Sequence, residues 1–354
     1  MKILQVCPRY YPDIGGVEEH VRNIGERLAK RYDVSVFTTD PLGKLPRQEV
    51  INGVQVTRFK SWAPNEAYYF SGDLKRFLSE NSHVFDVVHA HSYHALPAYY
   101  ATQAKSKNKL IFTPHYHGMG HSFFRSLLHI PYRYFGRKIF EKSDRIICVS
   151  NYEKNLVVKR FKVDEEKIVV IPNGVNLNEF NDLKKTREDH RTILCVSRLE
   201  KYKGIQYLIK VLPLLENDVI LEVVGNGPYR DHLVKLARKL NVFERVRFFQ
   251  DLPRGDLLQK YVNADVFALL SKHEAYGLSV AEALFAGTPC IVTNASALSE
   301  WIDNENCFGI EYPINSDSLV NLLNKVMRTR IKGVKLPDWS DVTRKLEALY
   351  NSIL

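Results

Sequence analysis

Short apolar runs recur along the whole chain, separated by stretches with helical spacing. In the first half they fall at Ile3–Val6, Val34–Thr38, Val87–His89, Leu110–Thr113 and Ile146–Val149. In the second half they fall at Ile193–Ser197, Val219–Val224, Val246–Phe249, Val266–Leu270 and Cys290–Val292. Runs this short, with little polar alternation, predict parallel strands buried on both faces, and the stretches between them predict crossover helices. One hairpin breaks the rhythm, because Asn52-Gly53 sits between two β-prone segments. Near the end, Val342, Leu346, Leu349 and Tyr350 share one face of a final helix.

The pattern restarts after a charged, polar segment from Asn178 to Arg191, close behind Pro172-Asn173-Gly174. A chain of 354 residues exceeds one ordinary core. The expected architecture is therefore two doubly wound, Rossmann-like α/β domains facing a cleft. The first domain is expected over residues 1–172 and the second over 173–338, and the last helix, 339–354, could pack on either.

Composition narrows the classes. Hydrophobic residues make up 45% of the chain, enough for two cores. No stretch approaches a membrane span, and the first apolar run is too short for a signal peptide. Cys7, Cys148, Cys195 and Cys290 lie in or beside strand-like runs and form no Cys-x-x-Cys pair, which reads as buried, reduced thiols in a cytoplasmic protein. The net charge of +10 is uneven. Lys105 to Lys142 carries eight lysines or arginines against Glu141 alone, interleaved with Phe123, Phe124, Tyr132, Tyr134, Phe135 and Phe140. That mixture suits an anionic membrane surface or a phosphate-bearing lipid, or equally a core helix with a solvated basic face. No nucleic-acid-binding motif accompanies it.

Candidate chemistry gathers where strands end. Glu274 and Glu282 flank the passage from a strand to a helix read from Ser279 onward. Backbone N–H groups at a helix start attract phosphate, leaving carboxylates there free to hold sugar hydroxyls. Ser279-x-x-Glu282 also fits a capping box. Arg198 ends one strand and Lys203-Gly204 begins the next helix, two cations suited to a diphosphate. Gly225-Asn226-Gly227-Pro228 follows another strand, with proline near the first helical position. Gly15-Gly16 permits close backbone approach before a helix from Val17. His115 follows the run Leu110–Thr113, placed to bond a substrate or move a proton. With His89, His91, His94 and His121 it raises a metal site, for which no acidic ligand set is found. The chain also lacks an Asp-x-Asp pair, a common carrier of divalent ions beside nucleotide diphosphates.

In order, Gly15-Gly16-Val-Glu-Glu-His20, Asp86-Val-Val-His-Ala-His91, Thr113-Pro-His115, Pro172-Asn-Gly-Val-Asn176, Ser197-Arg-Leu-Glu-Lys-Tyr-Lys203-Gly and Glu274-x7-Glu282 resemble the successive motifs of family-four retaining glycosyltransferases. The resemblance implies the GT-B fold, with an acceptor domain first, a nucleotide-sugar domain second, and a last helix crossing back to the first domain. It implies that Arg198 and Lys203 grip the donor diphosphate, Glu282 the ribose and Glu274 the transferred sugar. Gly277 and Leu278 would offer backbone N–H groups, Gly16 would face the diphosphate, and His115 would lie beside the reacting sugar. Departures are Gln250 and Ala295-Ser296-Ala297, where the family usually has glycines, and Ala275.

The expected function is metal-independent, retaining transfer of a sugar from a UDP- or GDP-sugar to a lipid-linked or cell-surface glycan, at the cytosolic face of a membrane. No further cofactor and no nucleic acid is expected. The alternatives are a small soluble acceptor such as a sugar phosphate, a histidine-cluster metal hydrolase, and a non-catalytic sugar-nucleotide binder.

Overall fold

A computed structural model of the chain describes residues 1–118, 123–186, 189–329, 331 and 334–354, excepting the side chains at 65, 123–131 and 133. Two compact units divide the chain: Met1–Gly174 with Trp339–Leu354, and Val175–Asp338.

The first unit holds strands β1 Lys2–Val6, β2 Asp33–Asp40, β3 Gln48–Ile51, β4 Val54–Lys60, β5 Val87–His91, β6 Lys109–Thr113, β7 Arg145–Cys148 and β8 Ile168–Val170. They order as β3-β4-β2-β1-β5-β6-β7-β8. Every neighbouring pair is parallel except β3 with β4. That exception is the hairpin turned by Asn52 at φ 48° and Gly53 at φ 85°, the two left-handed residues a type I′ turn requires. Helices α1 Gly16–Leu28, α2 Gly72–Asn81, α3 Leu96–Gln103, α4 Phe123–Lys142 and α5 Asn151–Phe161 belong to this unit. Ser71 and Ser150 cap α2 and α5 by accepting the N–H of Leu74 and Glu153.

The second unit holds β9 Arg191–Val196, β10 Val219–Val224, β11 Val246–Phe249, β12 Val266–Leu269, β13 Cys290–Thr293 and β14 Cys307–Ile310, all parallel, in the order β11-β10-β9-β12-β13-β14. Its helices are α6 Ile205–Val211, α7 Arg230–Lys239, α8 Arg254–Asn263, α9 Leu278–Phe285 and α10 Ser316–Val326. Ile193, Cys195, Leu221, Val223, Val266, Ala268 and Ile291 are buried in one core with Leu208, Leu233 and Leu319 from three helices.

The final helix, α11 Trp339–Ile353, returns to the first unit. Val342, Leu346 and Tyr350 are buried, and Arg31 Nη1 bonds Glu347 Oε2 at 3.0 Å. All five cysteines are unpaired and buried. Among the described residues, no helix is long and apolar enough to cross a membrane. In the basic, aromatic stretch, Tyr132 and Phe140 are buried core residues and Tyr134 is exposed. The side chains of Phe123 and Phe124, and His121, lie outside the described residues.

Candidate functional site

In the second sheet the strand order reverses at β9, whose neighbours β10 and β12 lead outward in opposite directions. Loops leaving the carboxyl ends of strands at such a reversal are where open α/β sheets bind ligands. The loop after β9 carries Arg198 and Lys203, and the loop after β12 carries Glu274. Lys203 Nζ donates to Glu274 Oε1 at 2.5 Å, and both side chains are largely shielded from water. Burial alone would lower the lysine pKa, but the Glu274 charge overrides it and holds the ammonium above its ordinary value. Lys272 N–H donates to the Tyr202 carbonyl at 2.8 Å, tying the two loops together. Lys203 ends a short 3-10 turn, Lys201–Lys203, instead of starting a helix. The reason is Gly204, left-handed at φ 80°, where a Cβ would lie 2.1 Å from the Leu270 carbonyl oxygen. Arg198 is more exposed, with Nε 3.5 Å from Glu200 Oε1.

The turn after β10 packs beneath the same loop. Leu199 N–H donates to the Asn226 carbonyl at 2.8 Å, and Tyr229 N–H to the Leu199 carbonyl at 3.0 Å. Gly225 is held at φ 136°, and a Cβ there would sit 2.1 Å from the Ser197 oxygen. The following helix begins at Arg230, so Pro228 precedes it by two residues.

Helix α9 begins at Leu278, one residue before the sequence reading, with Gly277 at φ 99° as its cap and no side-chain cap bond. Ser279 therefore lies inside the first turn and the capping box does not form. Glu282 instead pairs with Arg254, Nη1 to Oε1 at 2.6 Å, while Arg254 also holds Glu179 at 2.8 Å. Arg254 was not singled out from the sequence. A signal existed, since a cation at the first residue of α8 opposes the helix dipole and needs a compensating partner. Ser296, within the Ala295–Ala297 departure, adopts the left-handed φ of 55° that glycine would favour. Its hydroxyl accepts the Glu274 N–H at 3.1 Å.

The first sheet reverses between β1 and β5. Gly16 opens α1 just beyond β1, and His20 lies one turn further. Histidines 20, 91 and 115 come together, with one ring nitrogen from each within 4.8 Å of the others. His20 and His91 are buried and His115 is partly exposed. Burial pushes His20 down to about 4, with the Asn173 hydrogen bond offsetting part of the shift. Burial and the neighbouring imidazoles lower His91 and His115 as well, so all three rings are neutral at pH 7. His89 is engaged at both nitrogens, by Tyr350 Oη and Thr113 Oγ1, each at 2.7 Å. The sequence grouped His115 with the β5 histidines but placed His20 only within the Gly-Gly motif, because proximity between α1 and β5 is a property of the sheet order.

Comparison with known proteins identifies the family. Residues 14–179 match the family model Glycosyltransferase Family 4, and residues 178–338 match Glycosyl transferases group 1. An uncharacterized glycosyltransferase of Methanocaldococcus jannaschii is 30% identical over 92% of this chain and 89% of its own length. A GDP-mannose:cellobiosyl-diphosphopolyprenol alpha-mannosyltransferase of Komagataeibacter xylinus is 24% identical over 97% of this chain and 87% of its own. The solved sucrose-phosphate synthase of Thermosynechococcus elongatus superposes with a TM-score of 0.83 at 20% identity, covering 100% of this chain and 99% of that one. The chain belongs to the family-4 glycosyltransferases, enzymes of GT-B fold that transfer a sugar from a nucleotide-sugar donor.

Proposed function

We propose that the protein is a retaining glycosyltransferase whose donor diphosphate is held by Arg198, Lys203 and backbone N–H groups, without a divalent ion at the phosphates. The observation that carries this reading is the shielded Lys203–Glu274 pair at the reversal of the second sheet, with Arg198 on the same loop. An ammonium held protonated and fixed in place by Glu274 needs little reorganisation when a diphosphate gathers charge, and such preorganisation is a large catalytic term. Glu274 would hold the hydroxyls of the transferred sugar and Glu282, steadied by Arg254, those of the ribose. Gly225, Asn226, Gly277 and Leu278 supply close backbone around the donor. Gly16 and His115 keep the parts that the family resemblance implies.

In the reaction the bond from the anomeric carbon to phosphate oxygen breaks as the acceptor hydroxyl attacks the same face. The hydroxyl proton passes to the leaving phosphate oxygen, releasing a nucleoside diphosphate and a glycoside of unchanged anomeric configuration. For the acceptor we propose a lipid-linked or cell-surface glycan met at the cytosolic membrane face. The polyprenol-linked acceptor named for the Komagataeibacter relative supports this class, as does exposed Tyr134 with the Lys138 ammonium 4.3 Å over its ring, in the basic stretch.

UDP- and GDP-sugars tested by thermal shift identify the donor, since a ligand binding only the folded form raises its melting point. Transfer without added magnesium or manganese, followed by NMR of the new anomeric proton, then tests metal-free retention; inversion would overturn it. Salt-sensitive binding to anionic liposomes favours the lipid acceptor, and its absence favours a small soluble one.

A further inference from the structure

We propose that His20, His91 and His115 form a three-imidazole site for a divalent transition-metal ion, zinc by preference, within the first unit. It shares His115 with the reading above but does not depend on it.

Three observations converge. First, one nitrogen from each ring lies within 4.8 Å of the other two. Second, the buried nitrogens without a hydrogen-bond partner on these rings are His20 Nε2, His91 Nδ1 and His115 Nε2. A buried polar atom without a partner is costly and rare in a native protein. Three such atoms on adjacent rings share one explanation if a single electron-pair acceptor sits among them. Third, the other nitrogens of the two buried rings are already bonded to side-chain oxygens. His20 Nδ1–H donates to Asn173 Oδ1 at 2.7 Å, and His91 Nε2–H donates to Gln5 Oε1 at 2.6 Å. A carbonyl behind the imidazole fixes the proton on the far nitrogen and presents the near lone pair, the arrangement that supports metal-bound histidines.

His89 provides the internal contrast. It sits two residues from His91 on the same strand, yet both its nitrogens are satisfied within the protein, so it is a structural histidine. Neutral nitrogen ligands without thiolates suit zinc, copper, nickel or iron better than magnesium or calcium. Nitrogens bound to one tetrahedral zinc at 2.0–2.1 Å stand roughly 3.4 Å apart. The nitrogens must therefore close by up to about 1.4 Å, within reach of partly exposed His115. Three protein ligands leave a fourth position for water or a substrate oxygen.

The test uses the full-length chain purified without a histidine tag. After reconstitution with zinc and gel filtration, elemental analysis is expected to find about one equivalent per chain, and cobalt in its place is expected to give the visible bands of tetrahedral coordination. His115→Asn suits the comparison because asparagine tolerates the left-handed φ of 48° that His115 adopts. It and His91→Gln are expected to lose the bound metal and the thermal shift that zinc gives the wild type. Asn173→Ala, acting through His20, is expected to weaken zinc affinity about 10–100-fold. Wild-type protein that retains no stoichiometric metal, or both histidine variants binding zinc as the wild type does, would overturn the site. Neither readout depends on sugar transfer, so failure here leaves the glycosyltransferase reading untouched.

Discussion

Lys203 and Glu274, seventy-one residues apart in sequence, are joined at 2.5 Å by two loops that leave adjacent parallel strands. Replacing Lys203 with Ala removes the cation and leaves a shielded carboxylate unpaired. Turnover is expected to fall about 10²-fold or more, the usual loss of a donor that stabilises developing charge. The double variant Lys203→Ala/Glu274→Gln separates structure from chemistry: melting temperature recovers while turnover does not. Recovery of both would reduce the pair to a structural contact.

Arg254 anchors Glu282 from the start of α8. Arg254→Ala frees the carboxylate that is to bind ribose. Steady-state kinetics should show the donor KM rising about tenfold, near 1.4 kcal/mol, with kcat changed far less. A lost kcat at unchanged KM would place Arg254 in the chemical step.

Gly225 tolerates no side chain. At φ 136°, an added Cβ meets a backbone oxygen at 2.1 Å. Gly225→Ala is expected to destabilise the second unit by about 1–3 kcal/mol from backbone strain alone, read by urea denaturation. Gly43→Ala, left-handed but with open space around its Cβ position, should cost less.

Glu153 gives a signed pH dependence. Its carboxyl is buried, accepts the Val149 N–H at 2.7 Å and the Tyr116 N–H, and is pushed up to about 8 by burial, against the pull of those bonds. A folded-state value above the ordinary 4.5 means that the native protein binds the extra proton. The stabilisation is thus complete below pH 4.5 and is lost as pH rises towards 8. Relative to Glu153→Gln, the wild type should lose stability across that window, at a slope of up to about 1.4 kcal/mol per pH unit. A flat difference would remove the shift.

The sequence patterns carried the sheets further than the contacts. Runs such as Val219–Val224 and Val246–Phe249 match their strands residue for residue, because a short apolar run marks a parallel strand even where one charged residue, Glu222 or Arg247, interrupts it. Ile168–Val170 and Cys307–Ile310 were missed: the first is three residues long, and the second is interrupted by Gly309. Arg254 meeting Glu282, and His20 meeting His91, were not legible. Both pairings depend on which crossover lands beside which strand, and local periodicity does not encode that order.

The bond from His89 to Tyr350 closes the first unit with the last turns of the chain. During synthesis on the ribosome, this unit therefore waits for α11, while the second, continuous in sequence, emerges whole beforehand. Vectorial folding is inverted: the part made first is finished last, and His89 on β5 gains its Tyr350 partner only when α11 arrives.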